Sequence, residues 1–147
     1  MTLQYADPSA LARAYLADET ERTDLAAVLL DGRDPTITSA IAIVELASAV
    51  RSAGRSGRLP SWQVTLDRIE ADLAAEGRIK LIPLRADPIL DSARRLVLDH
   101  RLRTLDAIHL AVAIEDGRTL AAGEELVFVT RDADQAAAAA ALGLAVR

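Results

Sequence analysis

The chain of 147 residues contains no cysteine, only one lysine and only two histidines. The lack of cysteine excludes disulfides and thiolate metal sites, and two histidines are too few for a histidine-rich metal site. No apolar run is long enough to cross a membrane. The first residues, MTLQYADPS, carry neither a basic region nor an apolar signal core. We therefore expect a cytoplasmic protein.

The charge balance is acidic, with a net charge of −5. This argues against a protein that is held to nucleic acid by bulk positive charge. All of the basic residues except Lys80 are arginines, however, and a guanidinium group binds phosphate through a planar fork. A nucleic-acid substrate thus remains open, with contacts that are local and sensitive to salt.

The chain reads as one domain, residues 1–147, in which strands alternate with helices. This alternation predicts an α/β fold whose parallel sheet is covered on both faces. The predicted strands are Leu3–Ala6, Thr36–Thr38, Ile79–Leu84, Glu125–Val129 and Leu144–Val146. The predicted helices are Pro8 to about Ala17, Thr20–Leu30, Ser39 (as cap) to about Arg55, Trp62–Glu76, Asp87 to about His100, Thr104–Ile114 and Arg131–Leu142.

Four acids are notable for their positions in this pattern. Asp7 and Asp132 each follow a predicted strand, and chemistry in open α/β sheets collects at the carboxyl ends of strands. Asp106 lies in the first turn of its helix. Glu45 lies inside an apolar helical run, where a charge is costly unless it is paired or at an exposed edge.

Each acid also has a structural interpretation. Asp7 could cap the helix in which Pro8 is the first residue. Asp106 and Asp132 each follow a threonine by two residues, so the threonine could be the cap and the acid could favour the helix dipole. Glu45 is harder to explain in this way, because no basic neighbour lies on its own helix.

If the four acids converge, their charges must be compensated. Two carboxylates 5 Å apart repel each other by roughly 3 kcal/mol at an effective dielectric constant near 20. An all-oxygen set without cysteine favours a hard cation, Mg²⁺ or Mn²⁺. Such a cation can activate water to attack a phosphodiester.

Four segments together carry a resemblance to a known family. They are YADPSAL, TSAIAIVEL, LRTLDAIHLA and FVTRD, and they occur in the family's order and with its usual spacing. On these motifs the chain resembles the PIN-domain family, and specifically the VapC-like toxin ribonucleases of type II toxin–antitoxin systems. One departure is Pro8, where the family usually has threonine.

The resemblance implies a PIN-like three-layer α/β/α sandwich with a parallel central sheet, and cleavage of RNA that depends on Mg²⁺ or Mn²⁺. It implies that Asp7, Glu45, Asp106 and Asp132 are both the catalytic and the metal-site acids. It further implies that Ser9 and Thr130 are polar supports of the site. The implied partners are RNA, a VapB-like antitoxin and a second copy of the chain, in a homodimer that forms a heterotetramer or a larger complex with the antitoxin.

Several arginines are candidates for RNA contacts. Arg51 and Arg55 follow Glu45 at the end of its helix, and Arg131 is adjacent to Asp132. They could form a phosphate clamp beside the acids. They could equally be a solvated helix end, where arginine suits the dipole.

Two further residues lie near the predicted acids. His109, three residues after Asp106, could donate a proton, although packing or a supporting hydrogen bond is the more usual role of an isolated histidine. Asp134 could share the role of Asp132.

Two other functions remain open from the sequence. A receiver-type phosphoryl-transfer domain would need a lysine late in the chain, whereas Lys80 lies well before the final strands. A catalytically degenerate PIN-like module could bind RNA or a partner without cutting. Such a module should have lost some of the acids, and all four are present.

Overall fold

The computed structural model describes residues 1–16 and 21–147, and these form one five-stranded parallel sheet. The strand order is β3-β2-β1-β4-β5, and each neighbouring pair runs parallel. The predicted α/β class with a parallel sheet is confirmed. The strands are β1 (Thr2–Ala6), β2 (Thr36–Ser39), β3 (Ile79–Ile82), β4 (Glu125–Val129) and β5 (Ala145–Val146).

Helices cover both faces of this sheet and bury two separate apolar clusters. Helices α1 to α4 form one cluster with Ala6 and Val129, and helices α5 to α8 form the other with Tyr5 and Phe128. Successive strand residues enter opposite clusters, as the alternation of side chains along a strand requires. The helices are α1 (Pro8–Tyr15), α2 (Arg22–Leu29), α3 (Ala42–Arg55), α4 (Trp62–Leu73), α5 (Ala86–Asp99), α6 (Thr104–Val112), a π-helical turn (Ala113–Gly117), α7 (Arg118–Ala121) and α8 (Ala133–Ala141).

The topology places the ends of β1 and β4 side by side. The chain runs from β1 outward through β2 to β3, and then crosses to the other side of β1 to form β4 and β5. Ala6 is in register with Val129, and the backbone N–H of Asp7 donates to the Val129 carbonyl at 2.9 Å. The direction in which successive strands are added to the sheet therefore reverses between β1 and β4. Open α/β sheets form their binding crevices at such a point.

Several predicted boundaries need correction. Ser39 is not a helix cap: it is the last residue of β2, and its hydroxyl accepts the N–H of Ile41 in the turn before α3. Helix α8 begins after Asp132, two residues later than predicted. The predicted helix end at Ala17 and helix start at Thr20 lie outside the described residues.

None of the helices in the described part of the chain combines the length and the apolar character that crossing a membrane requires.

Candidate active site

Asp7 is buried at the end of β1, with 3% of its surface exposed. It is the N-cap of α1, and its Oδ2 accepts the backbone N–H of Ser9 at 2.9 Å, while Pro8 occupies the first helical position. Its other oxygen, Oδ1, accepts a hydrogen bond from the Gln135 side chain at 3.0 Å. The cap interpretation is thus correct, and it coexists with a position in the predicted crevice.

Gln135 connects three parts of the site and is completely buried. Its Nε2 donates to Asp7 Oδ1 and, at 3.1 Å, to the backbone carbonyl of Asp106. Its Oε1 accepts from the Thr130 hydroxyl at 2.5 Å. One amide therefore joins the ends of β1 and β4 to the first turn of α6.

The predicted supports Ser9 and Thr130 do meet. Because Thr130 donates its hydroxyl hydrogen to Gln135, Ser9 Oγ must be the donor in its 3.3 Å contact with Thr130 Oγ1. Ser9 Oγ in turn accepts the backbone N–H of Arg131 at 3.0 Å. These bonds fasten the start of α1 to the loop after β4.

Asp132, rather than Thr130, is the N-cap of α8. Its Oδ1 accepts the backbone N–H of Gln135 at 2.8 Å, and its own N–H donates to Thr130 Oγ1. Its side chain remains 28% exposed, so its second oxygen can face solvent and a ligand. Asp134 is exposed in the first turn of α8.

Asp106 lies beside two other carboxylates and one guanidinium group. Arg103 Nε is 3.2 Å from Asp106 Oδ2, and Arg103 Nη2 is 3.8 Å from Asp132 Oδ2. Burial raises the pKa of Asp106, and the negative charges of Asp7 and Asp132 raise it further, while Arg103 opposes the change. Asp7 and Asp132 therefore each repel the charge of Asp106, and Arg103 compensates Asp106 and Asp132.

Glu45 receives its partner from a different helix. Its Oε1 lies 2.5 Å from His109 Nε2, and His109 Nδ1 lies 2.8 Å from the Tyr5 hydroxyl. His109 and Tyr5 are buried, while the Glu45 side chain is 22% exposed. Burial raises the pKa of Tyr5 well above its usual range, and the charge of Asp7 raises it further. His109 thus forms a supporting hydrogen bond, which was one of its predicted roles.

Two of the acids line an open cleft of about 390 Å³. Within residues 1–16 and 21–147, no three acidic or histidine side chains are already arranged as a set of metal ligands. Each acid is in contact with other groups of the protein: Glu45 with His109, Asp7 with Ser9 and Gln135, and the other two acids with Arg103. The cleft is lined by Glu45, Arg103, Thr104, Leu105 and Asp106.

The three arginines proposed for RNA contacts have different surroundings. Arg131 is close to Glu21, with 2.5 Å between Nε and Oε2, and donates to the Thr130 carbonyl. Arg51 lies over the ring of Trp62, 4.7 Å from its centroid. Arg55 is the last residue of α3 and is exposed.

Three residues of this site were missed at the level of sequence: Gln135, Arg103 and Tyr5. Gln135 had a readable signal, because it is the third residue after the helix cap in an otherwise alanine-rich helix. That position suggests a capping box, in which the side chain would bond back to the cap residue. The side chain turns into the core instead. Arg103 and Tyr5 had no local signal, since their partners are set by the tertiary fold.

A known protein family matches this chain over most of its length. The PIN domain family model matches residues 5–141, from β1 to the last residue of α8. The matched span contains all four predicted acids and the side chains that hold them. No curated protein matches the sequence. The family match covers well over half of the chain, and the chain therefore belongs to the PIN domain family.

Proposed function

We propose that the protein is a metal-dependent endoribonuclease that acts as the toxin of a toxin–antitoxin pair. The observation that carries the proposal is geometric: at the crevice between β1 and β4, Gln135 bonds to the Asp7 carboxylate and the Asp106 carbonyl, and Arg103 lies between the Asp106 and Asp132 carboxylates. Mutual repulsion of carboxylates costs folding free energy, so a protein that retains it gains something else from it. PIN domains are generally metal-dependent nucleases, which gives that gain a chemical identity.

The side chains fit a divalent cation by their chemistry. They offer only carboxylate oxygens, which suit Mg²⁺ and Mn²⁺ better than softer metals. Asp7 and Asp106 would hold the ion directly, and Glu45 and Asp132 would hold it through water or orient the attacking water. The bound ion would supply the positive charge and the Lewis acidity that phosphodiester hydrolysis requires.

The protein itself supplies orientation and charge control. Gln135 and Ser9 fix Asp7 on both of its oxygens, and His109 fixes Glu45 on one. Arg103, whose side chain is largely exposed, compensates Asp106 and Asp132 and must move or share these acids when a cation enters. It is also placed to contact a phosphate at the mouth of the cleft.

The toxin role and the partners are part of the same proposal. Their support is the set of motifs that resembles VapC-like toxins, which would pair with a VapB-like antitoxin and form a homodimer. With a net charge of −5, RNA binding would depend on a few arginines, of which Arg55 and Arg103 are exposed. The proposed reaction is hydrolysis of an RNA phosphodiester bond at the site of Asp7, Glu45, Asp106 and Asp132.

The test is cleavage of total cellular RNA by the purified protein in Mn²⁺, with EDTA and an Asp7→Asn variant as controls. Asparagine keeps an oxygen that can cap α1, but its NH2 group replaces the oxygen that accepts from Gln135, so circular dichroism must show that the variant is folded. We expect discrete cuts that require metal and are reduced at least about a hundredfold in Asp7→Asn. Full cleavage by a folded Asp7→Asn variant would contradict the mechanism.

A second candidate is a binding module that keeps the PIN fold and binds RNA or a partner without cutting. It is favoured by one observation, namely that Arg103 and His109 already engage three of the acids. A protein that binds RNA but neither binds Mn²⁺ nor cuts RNA would support this candidate.

A further inference from the structure

A chain of hydrogen bonds runs from the backbone of β2 to the carboxylate of Glu45. The N–H of Ser39 donates to the Tyr5 hydroxyl at 3.2 Å. The Tyr5 hydroxyl lies 2.8 Å from His109 Nδ1, and His109 Nε2 lies 2.5 Å from Glu45 Oε1. The chain thus begins on a rigid strand in the core and ends at the cleft.

The positions of the hydrogens in this chain follow from its two ends. An ionised Glu45 can only accept, so His109 Nε2 must carry a hydrogen. In a neutral imidazole Nδ1 is then the acceptor, so the Tyr5 O–H donates to it. The Tyr5 oxygen in turn accepts the Ser39 N–H. Each group in the chain has one role, and the Glu45 carboxylate selects the histidine tautomer.

The alternative is that His109 and Tyr5 are ordinary core residues whose polar atoms happen to be satisfied. Packing alone explains the Tyr5 ring, which stacks on Phe128 with 5.4 Å between centroids. Packing does not explain why the polar ends of both side chains form consecutive hydrogen bonds that lead to an acid at the cleft. The residues next to Glu45 on its own helix face, Ala42, Ser48 and Ala49, are small, and Ile41 before them is apolar, so none of these side chains explains a fixed carboxylate.

We propose that Tyr5 and His109 are positioning residues that hold the Glu45 carboxylate in one orientation for the proposed metal-dependent reaction. This inference rests on the proposed function. A free glutamate side chain occupies several rotamers, so an anchored one is better prepared to bind an ion or orient a water molecule. The groups that orient such acids commonly affect metal affinity or activity by about 10- to 100-fold.

The two tyrosines of the chain offer a matched test. Tyr15 is also buried, and its hydroxyl donates to Asp72 Oδ2 at 2.7 Å, on the face of the sheet opposite to Tyr5. Tyr5→Phe and Tyr15→Phe therefore each remove one buried, bonded hydroxyl while keeping the ring. Only the first of these changes touches the chain to Glu45.

The first readout is the ¹⁵N NMR spectrum of the His109 ring in the metal-free protein, which does not depend on any activity. We expect the Nε2-protonated tautomer in the wild type and in Tyr15→Phe, with an Nδ1 resonance typical of a nitrogen that accepts a hydrogen bond. In Tyr5→Phe the Nδ1 resonance should shift towards that of an acceptor nitrogen without a hydrogen bond. A wild-type His109 that is protonated at Nδ1 alone would overturn the proposal.

The second readout is Mn²⁺ binding together with steady-state RNA cleavage. Tyr5→Phe should weaken Mn²⁺ binding or lower kcat by about tenfold with little change in KM for RNA, while Tyr15→Phe matches the wild type. Equal binding and kcat in both variants would overturn the positioning role. If Tyr5→Phe does not fold, the comparison passes to His109→Gln, whose amide can still donate to Glu45, and His109→Leu, which cannot; the proposal requires that the glutamine variant retain more Mn²⁺ affinity.

Failure of the proposed function has a different signature. Wild-type protein that neither binds Mn²⁺ nor cuts RNA would overturn that function and the positioning role with it. Normal binding and cleavage by the wild type, together with an unaffected Tyr5→Phe variant, would overturn the positioning role alone.

Discussion

Asp7 and Glu45 lie in the same site but are held in different ways. Asp7 is nearly buried, and both of its oxygens accept hydrogen bonds, one from its own helix terminus and one from Gln135. Glu45 is partly exposed, and Oε1 is its anchored oxygen, bonded to a histidine that is 64 residues away in sequence. Asp7 is therefore held by a helix terminus and a buried amide, whereas Glu45 is held through the hydrogen bonds of His109 and Tyr5.

This difference predicts that substitutions near the two acids change stability and activity to different extents. Changes around Asp7 should affect stability as well as activity, because its partners also join β1, β4 and α6. Changes of Glu45 itself should affect activity more than stability, because its side chain is partly exposed at the cleft. Substitutions in the surroundings of these acids test this difference between stability and activity.

Gln135→Leu should destabilise the protein by about 2–4 kcal/mol, because it removes three buried hydrogen bonds and leaves Asp7 Oδ1 without its donor. Urea denaturation measures this directly. The matched control is Gln63→Leu on the exposed side of α4, which should remain within about 0.5 kcal/mol of the wild type. Equal stability of the two variants would show that Gln135 does not hold the Asp7 half of the site.

The same contrast explains how far the sequence could predict the site. The position of Asp7 is set by local rules, namely a strand, a cap and a proline at the first helical position, so the sequence was sufficient. The alternation of strands and helices likewise predicted the parallel sheet. The partners of Glu45 and Asp7 lie 64 and 128 residues away, and no local rule selects them. The misassigned cap at Ser39 has the same origin, because β2 pairs with β3 up to that residue.

The stability of the metal-free protein should depend on pH through Asp106. The pKa of Asp106 in the folded protein is raised above its ordinary value of 3.8, so at pH values between 3.8 and the raised pKa the folded protein binds more protons than the unfolded chain. Its contribution to stability therefore falls as the pH rises through that window. Asp106→Asn should make the metal-free protein more stable than the wild type at neutral pH, and this gain should disappear below the ordinary pKa.

Thermal unfolding of the metal-free proteins across a pH series tests this expectation. Asp134→Asn is the control, because Asp134 is exposed on the neighbouring helix, and its difference from the wild type should not follow the same profile. An Asp106→Asn variant that is less stable than the wild type at neutral pH would contradict the raised pKa of Asp106, which burial causes first and the charges of Asp7 and Asp132 increase.

The smallest expected effect is that of Arg103. Arg103→Gln removes the positive charge that contacts Asp106 and Asp132, so a divalent cation no longer competes with it. Exposed ion pairs are worth up to about 1 kcal/mol, so Mn²⁺ affinity should rise by up to about fivefold. Isothermal titration of both proteins measures this change. A weaker affinity in the variant would show that Arg103 supports the ion rather than competing with it.

The central claim is that the carboxylates at the end of β1 and β4 hold a divalent cation, and Mn²⁺ titration followed by electron paramagnetic resonance tests it most directly. The comparison is between wild type, Asp7→Asn and Asp134→Asn, in which each variant loses one carboxylate and is first shown to be folded by circular dichroism. Wild type and Asp134→Asn should bind Mn²⁺ equally, and Asp7→Asn should bind at least about tenfold more weakly. Equal binding by all three proteins, or no binding by the wild type, would contradict the account.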